Sequence, residues 1–205
     1  MLNIYLVRHG QDEDNLNKIL NGRRDSPLTE KGIEQAREIA SKIKTINLSF
    51  NEVYSSPLQR AYKTAEIITD TIGFRKPVKL EGLIERDYGI MTGRSQTQIE
   101  KYCSPNILKT KTITYFLSPD GAETFPQLIK RARKLLNCLG KLHETGNILL
   151  VSHGDFGKMI YCAYYNLNWK TVLKMFHFGN SDMLLMSPRS KAGDTHVFCF
   201  RQYNL

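Results

Sequence analysis

Two segments of this 205-residue chain end in the same way. Leu6-Val7-Arg8-His9-Gly10 near the start is echoed by Leu150-Val151-Ser152-His153-Gly154 far downstream, each an apolar run that stops at His-Gly. A βα turn delivers whatever follows a strand to the carboxyl edge of a parallel sheet. Both imidazoles are therefore expected at the edge where open α/β folds bind ligands. A histidine at a strand end is ordinarily a hydrogen-bonded or exposed residue without chemical consequence. Two of them in matching contexts, with Arg8 beside the first, point to a two-histidine site.

The length suits one α/β domain over residues 1–205 with a full core and a small inserted cap. Hydrophobic residues at 41% and charged residues at 24% are ordinary for a globular protein. The chain opens straight into Ile4-Tyr5-Leu6-Val7 without a basic, then apolar, leader, and no apolar run is long enough to span a bilayer. A cytoplasmic location without membrane association is the resulting expectation. Cys103, Cys138, Cys162 and Cys199 are scattered and form no CxxC, which gives a zinc or redox site no support. The formal charge of +9 favours an anionic partner. Because the Lys and Arg residues are spread along the chain and no nucleic-acid motif is present, a small phosphorylated molecule is expected rather than nucleic acid. A homodimer is compatible with the sequence.

From Thr29 to Ile43, Ile33, Ala36, Ala40 and Ile43 recur at helical spacing, with Thr29 as N-cap. Glu52-Val53-Tyr54-Ser55 reads as a short strand, followed by Pro57 and an Ala-rich helix from about Leu58 to Thr71. Arg60 thus falls in the opening turn of a helix that follows a strand. Pro77 to Leu80 is another strand candidate, with Glu85 in the irregular stretch after it. Ala122 to His143 carries a long apolar helical stripe, with Gly146 as its stop and Asn147 to Val151 as a buried strand. Met183–Met186 and Thr195–Phe200 read as closing strands. The order implies a three-layer αβα sandwich around a mainly parallel sheet. Thr92 to Asp120, broken by Pro105, has no clear period and reads as a cap excursion over the active edge.

These residues resemble a known family. Arg8-His9-Gly10, Ser55-Ser56-Pro57-Leu58-Gln59-Arg60-Ala61 with Thr64-Ala65, Glu85-Arg86-Asp87-Tyr88-Gly89 with Thr92-Gly93, and Ser152-His153-Gly154 look like the motifs of the histidine phosphatase superfamily, the phosphoglycerate mutase-like proteins. The resemblance implies that His9 is a nucleophile forming a phosphohistidine, with no metal and no cofactor required. It implies that Arg8 and Arg60 flank His9, lower its pKa and bind phosphoryl oxygens. His153 would bond an equatorial phosphoryl oxygen, and Glu85 would protonate the leaving oxygen and then activate water. Asn15, Gly22, Tyr88 and Gly154 match substrate-binding positions. Asp155 stands where the family commonly has a small or neutral residue. With Asp12 and Asp14, it is an acid expected to repel strongly anionic substrates or hold a cationic portion of one.

Within the family, the Glu85 to Gly93 stretch follows the pattern of the cofactor-dependent phosphoglycerate mutases. Gln96 stands where those mutases place a substrate-binding lysine, and the excursion before Gly121-Ala122-Glu123-Thr124 is shorter than theirs and lacks their paired arginines. The expectation is a phosphomonoesterase for a small phosphorylated metabolite such as a sugar phosphate, phosphoglycerate or sugar bisphosphate, with the mutase as alternative. A catalytically silent phosphate-binding protein is the third reading, and the presence of all five expected catalytic residues speaks against it.

Overall fold

The structure is a computed structural model that describes residues 1–193 and, in backbone only, 196–198. A six-stranded sheet runs in the order β3-β2-β6-β1-β7-β8, from β1 (Leu2–Arg8), β2 (Glu52–Ser55), β3 (Val78–Lys79), β6 (Gly146–Ser152), β7 (Met183–Met186) and β8 (His196–Phe198). β1, β6, β2 and β3 are mutually parallel where they pair, while β7 and β8 close the sheet antiparallel. Thr195, Cys199 and Phe200, included in the expected last strand, lie outside the described residues.

Strand alternation sorts the core into two layers. Ile4, Leu6, Ile148 and Leu150 pack with Leu128, Leu135, Phe156 and Ile160 from α5 (Phe125–Leu142) and α6 (Gly154–Tyr164). Tyr5, Val7, Leu149 and Val151 pack instead with Ile39, Ile43, Ala61 and Ile68 from α2 (Glu30–Thr45) and α3 (Gln59–Ile72). Strands apolar on both faces are what a sheet covered on both sides requires. Burial of these side chains stabilises the fold by about 25 cal/mol per Å² of apolar surface removed from water.

This layering places the site. β1 and β6 are neighbours in register, with Arg8 opposite Ser152, so His9 and His153 leave the sheet side by side. α2, reached from β1, packs on one face and α6, which follows β6, on the other. Adjacent parallel strands whose connections depart to opposite faces leave a crevice at their carboxyl ends.

Local signals explain most element ends. Thr29 caps α2 by accepting from Gly32 N–H, and Thr124 with Gln127 forms a reciprocal capping box on α5. That box starts α5 at Phe125 rather than Ala122. Gly146, expected to stop that helix, is instead the first residue of β6 at φ +92°, a conformation glycine adopts without a Cβ penalty. The 92–120 excursion is ordered. It contains α4 (Ile99–Cys103) and a hairpin of β4 (Ile107–Lys109) with β5 (Thr114–Phe116), packed through Ile99, Cys103 and Phe116 against Leu20 and Met91. Two short helices that the sequence reading did not mark are α1 (Glu13–Leu16) and α7 (Trp169–Met175). Among the described residues no helix is long and apolar enough to cross a membrane.

Candidate active site

A cavity of about 470 Å³ opens at the carboxyl ends of β1 and β6, beneath the excursion. Arg8, His9, Asn15, Glu85, Tyr88 and Gly154 line it. Six of the nine residues singled out from sequence therefore meet at one surface. The other three, Arg60, His153 and Gly22, lie behind the lining, against or near His9.

His9 follows β1 directly and is 2% exposed. Its Nδ1 lies 2.7 Å from the Gly10 carbonyl oxygen. A carbonyl only accepts, so Nδ1 carries the proton and Nε2 keeps its lone pair. Burial, then the charges of Arg60 and Arg8, hold the His9 pKa well below the ordinary histidine value. The ring is neutral at physiological pH, with Nε2 as the unprotonated nitrogen. Gly10 has to be glycine: a Cβ there would stand 2.3 Å from the Gly32 carbonyl oxygen at the start of α2.

Arg60, the second residue of α3, is fully buried. Its Nη1 donates to Arg24 O at 2.6 Å, its Nη2 to Gly22 O at 2.7 Å, and its Nε to His9 Nε2 at 3.3 Å. Nε also pairs with Asp12 Oδ2 at 3.2 Å. Arg60 lies against His9, and after burial its charge is the next largest cause of the low His9 pKa. Arg60 is not on the cavity lining; one N–H of each Nη goes to the 22–24 loop, and Nε lies between His9 and Asp12. Gly22, at φ +51° with its α-carbon facing the Tyr88 ring, contributes its carbonyl to Arg60 rather than a surface to the cavity.

Arg8 donates from Nη1 to Phe178 O at 2.7 Å, and its Nε is buried without a partner among the described residues. Buried donors are normally satisfied, so this N–H is free for a ligand acceptor. His153 is fully buried, its ring centroid 5.1 Å from that of His9. Its Nε2 lies 2.7 Å from Ser56 Oγ, and its Nδ1 also has no partner. Burial, then the Arg60 charge, depresses its pKa well below the ordinary value.

Glu85 is carried to this edge by a braced loop. Ser152 at the end of β6 donates to Leu83 O at 2.8 Å, and Arg131 of α5 donates to Gly82 O and Ile84 O at 3.1 and 2.8 Å. The Glu85 carboxyl accepts from Arg86 N–H at 2.8 Å, Phe156 N–H at 2.9 Å and Asp155 N–H at 3.2 Å, the last two from the first turn of α6. These donors favour the ionised form. Complete burial, followed by the neighbouring Asp155 charge, outweighs them and raises the Glu85 pKa above the usual carboxyl value.

Asp12 and Asp14, expected beside the substrate with Asp155, do not line the cavity. Asp12 caps α1 through Asn15 N–H, accepts from Asn21 Nδ2 at 2.7 Å and pairs with Arg60; Asp14 holds Arg24 and Ser26. Short polar side chains at an N-cap serve the helix first. Of the three acids, Asp155 alone lines the cavity.

Sequence reasoning missed two arginines. Arg86 is fully buried, donates to Phe116 O, Leu117 O and Glu123 O, pairs with Asp155 at 3.3 Å, and lies 4.3 Å from the Phe125 ring centre. It ties the excursion to α6 across the site. Arg131 braces the Glu85 loop and pairs with Glu123 at 2.9 Å. Its position between Leu128 and Leu135, on the core face of the α5 stripe, is the signal that could have found it.

Comparison with known proteins agrees with this geometry. The structure of phosphoserine phosphatase from Entamoeba histolytica in complex with 3-phosphoglyceric acid superposes with a TM-score of 0.77 at 27% identity, covering 100% of this chain and 99% of that one. A mutant of the phosphoserine phosphatase from the same organism, in complex with phosphoserine, gives 0.75 at 27% identity, with 95% and 94% covered. The 2,3-bisphosphoglycerate-dependent phosphoglycerate mutase of Mesorhizobium japonicum is 30% identical over 176 residues, 84% of this chain and 85% of the relative. The model of the histidine phosphatase superfamily (branch 1) matches residues 4–196, a span that holds His9, Arg60, Glu85 and His153 in the order just described. With its paired histidines at the ends of adjacent parallel strands, this chain belongs to the histidine phosphatase superfamily.

Proposed function

We propose that this protein is a phosphomonoesterase that hydrolyses small phosphorylated metabolites through a phosphohistidine on His9. The observation that carries the reading is the state of His9 on the cavity lining: neutral, tethered through Nδ1–H to Gly10 O, with an unprotonated Nε2 that only the long 3.3 Å contact from Arg60 Nε engages. That is the form a histidine nucleophile needs.

The steps follow from the groups around it. The Nε2 lone pair attacks phosphorus, the bond from phosphorus to the ester oxygen breaks, and protonated Glu85 transfers its proton to that oxygen. Burial, then the Asp155 charge, raise the Glu85 pKa and so favour the protonated form, against the pull of the backbone N–H groups and Arg60. Arg8 Nε donates to a phosphoryl oxygen. Ser56 Oγ, which accepts from Leu58 N–H at 3.3 Å, donates its O–H hydrogen bond to His153 Nε2, so that His153 carries Nδ1–H for a second phosphoryl oxygen. In the return step Glu85 takes a proton from water, the water oxygen attacks phosphorus, and the bond to His9 breaks to release phosphate.

The mutase reading has its own support in the Glu85-Arg86-Asp87-Tyr88-Gly89 stretch and in the activity named for the Mesorhizobium japonicum relative. Against it, the excursion contributes Gln96, Thr112 and Thr114 to the cavity and no arginine or lysine that would cage a bisphosphate. The deciding experiment incubates purified protein with 3-phosphoglycerate, with and without 2,3-bisphosphoglycerate, and quantifies phosphate and isomer separately. Phosphate without isomer supports the phosphatase; fast isomerisation that depends on the bisphosphate makes it a mutase. A protein that binds phosphate but gives neither product is the silent member of the three readings.

A further inference from the structure

The far wall of the cavity holds polar groups that the proposed hydrolysis leaves unused. Lys158 of α6, 3% exposed, lines it one helical turn beyond Asp155. Its ammonium donates to Tyr115 Oη at 2.9 Å, to Leu173 O at 3.4 Å and to Phe176 O. An ammonium has three protons, so Lys158 has none left for a ligand. Tyr115, however, receives one of them on its oxygen, and its own O–H has no acceptor among the described residues. The phenol is thereby held as a donor on the cavity wall.

Beside it, His177 lines the same wall with a buried Nδ1 that has no partner. Burial lowers its pKa to about 4, so the ring is neutral and offers a hydrogen bond without charge. Asp155 engages Arg86 through Oδ2, leaving Oδ1 as an acceptor. Arg86 in turn directs its N–H groups to the Phe116 and Leu117 carbonyls of the excursion, to Glu123 O beyond it and to Asp155. Among the lining cations, Arg8 belongs to the phosphoryl end, and Lys18 stands exposed at the rim, where an ion pair is weak.

The wall therefore offers a neutral donor, a neutral imidazole and a carboxylate acceptor, with no spare buried cation. A hydroxyl group, which donates and accepts, satisfies such a set; a carboxylate or second phosphate only accepts, so it has nothing to give the Asp155 oxygen, and the hydrogen bonds of Arg86 and Lys158 are directed to acceptors on the protein. We propose that Tyr115, His177 and Asp155 form a subsite that reads the hydroxyl groups of the substrate, which is a sugar or polyol monophosphate without a second anionic group. This rests on the reading of the protein as acting on phosphomonoesters, and narrows it.

The test measures binding, so that it stands apart from turnover. In His9→Ala protein, titration calorimetry gives affinities for inorganic phosphate, ribose 5-phosphate and 3-phosphoglycerate. Ribose 5-phosphate is expected to bind about tenfold more tightly than either of the others, the worth of one or two well-made hydrogen bonds. Adding Tyr115→Phe removes most of that advantage and leaves inorganic phosphate unchanged. Adding Asp155→Asn strengthens 3-phosphoglycerate alone, and this arm remains informative if the Tyr115 variant, which takes an acceptor from Lys158, fails to fold. Equal or tighter binding of 3-phosphoglycerate to His9→Ala protein overturns the proposal, as does a parallel loss of phosphate and ribose 5-phosphate in Tyr115→Phe. Failure of the wild-type protein to hydrolyse phenyl phosphate would instead count against the hydrolytic reading, and leaves the binding comparison to decide the subsite.

Discussion

Arg60 Nε lies 3.3 Å from His9 Nε2 and 3.2 Å from Asp12 Oδ2, which makes one buried guanidinium the link between the His9 ring and a helix cap. Burial and then this cation keep the imidazole from protonating, and Asp12 keeps the cation from being an unpaired buried charge. Structure and chemistry are coupled at this one side chain.

Arg60→Met is expected to destabilise the protein as well as impair it. Removing one member of a buried pair strands the other, at a cost of about 3–5 kcal/mol. Urea denaturation checks this; a loss below about 1 kcal/mol would mean that Asp12 finds another partner or a proton. Arg8→Ala, by contrast, is expected to lower kcat/KM strongly with a smaller stability loss, because Arg8 Nε has no partner among the described residues.

Glu85→Gln should discriminate between leaving groups. Alkyl phosphates, whose alkoxide leaves poorly without a proton, are expected to slow by about 10²–10⁴-fold. Aryl phosphates with good leaving groups should slow far less. Equal losses on both substrate types in steady-state assays would argue against Glu85 as the acid.

Asp155→Asn is expected to move the alkaline limb of the pH-rate profile to lower pH. The Asp155 charge raises the Glu85 pKa, so neutralising it lets Glu85 lose its proton earlier as pH rises. A profile of kcat against pH for an alkyl phosphate reads the shift directly. An unchanged or upward-shifted limb would exclude this coupling.

His153 makes folding stability depend on pH. Its folded pKa is depressed, so its neutral form contributes fully above the unfolded histidine value of 6.5 and that contribution is lost as pH falls toward the folded value. Glu85 and Asp12, with raised pKa values, act in the opposite sense. The comparison of wild type with His153→Asn isolates the histidine: stability between pH 7 and pH 5 should fall less steeply in the variant. Identical slopes in denaturant titrations would show that His153 titrates normally.

Much of this arrangement is legible in the sequence, because it rests on local signals. The unbroken apolar runs of β1 and β6 give the strands, and the His-Gly that follows each gives the edge. Thr29 and the Leu58 to Ile68 periodicity give two helices of one layer. What is hidden depends on contacts between distant segments. Arg86 and Arg131 look like surface charges in a linear reading, yet each is held by backbone carbonyls more than thirty residues away. Asp12 looks like part of the pocket but is drawn inward by Arg60 and by the N-terminus of α1. The excursion has too little period to show its hairpin, since β4 and β5 span only Ile107–Lys109 and Thr114–Phe116 and are ordered by packing on Leu20 and Met91.

The central claim is that His9 Nε2 accepts the phosphoryl group. Rapid quenching of the wild-type protein during turnover of an aryl phosphate, followed by peptide mass spectrometry under alkaline conditions, tests it most directly. An acid-labile, alkali-stable phosphoryl adduct is expected on the peptide containing His9 and is expected to be absent from His9→Ala. An adduct on any other residue, or sustained turnover by His9→Ala, would contradict it.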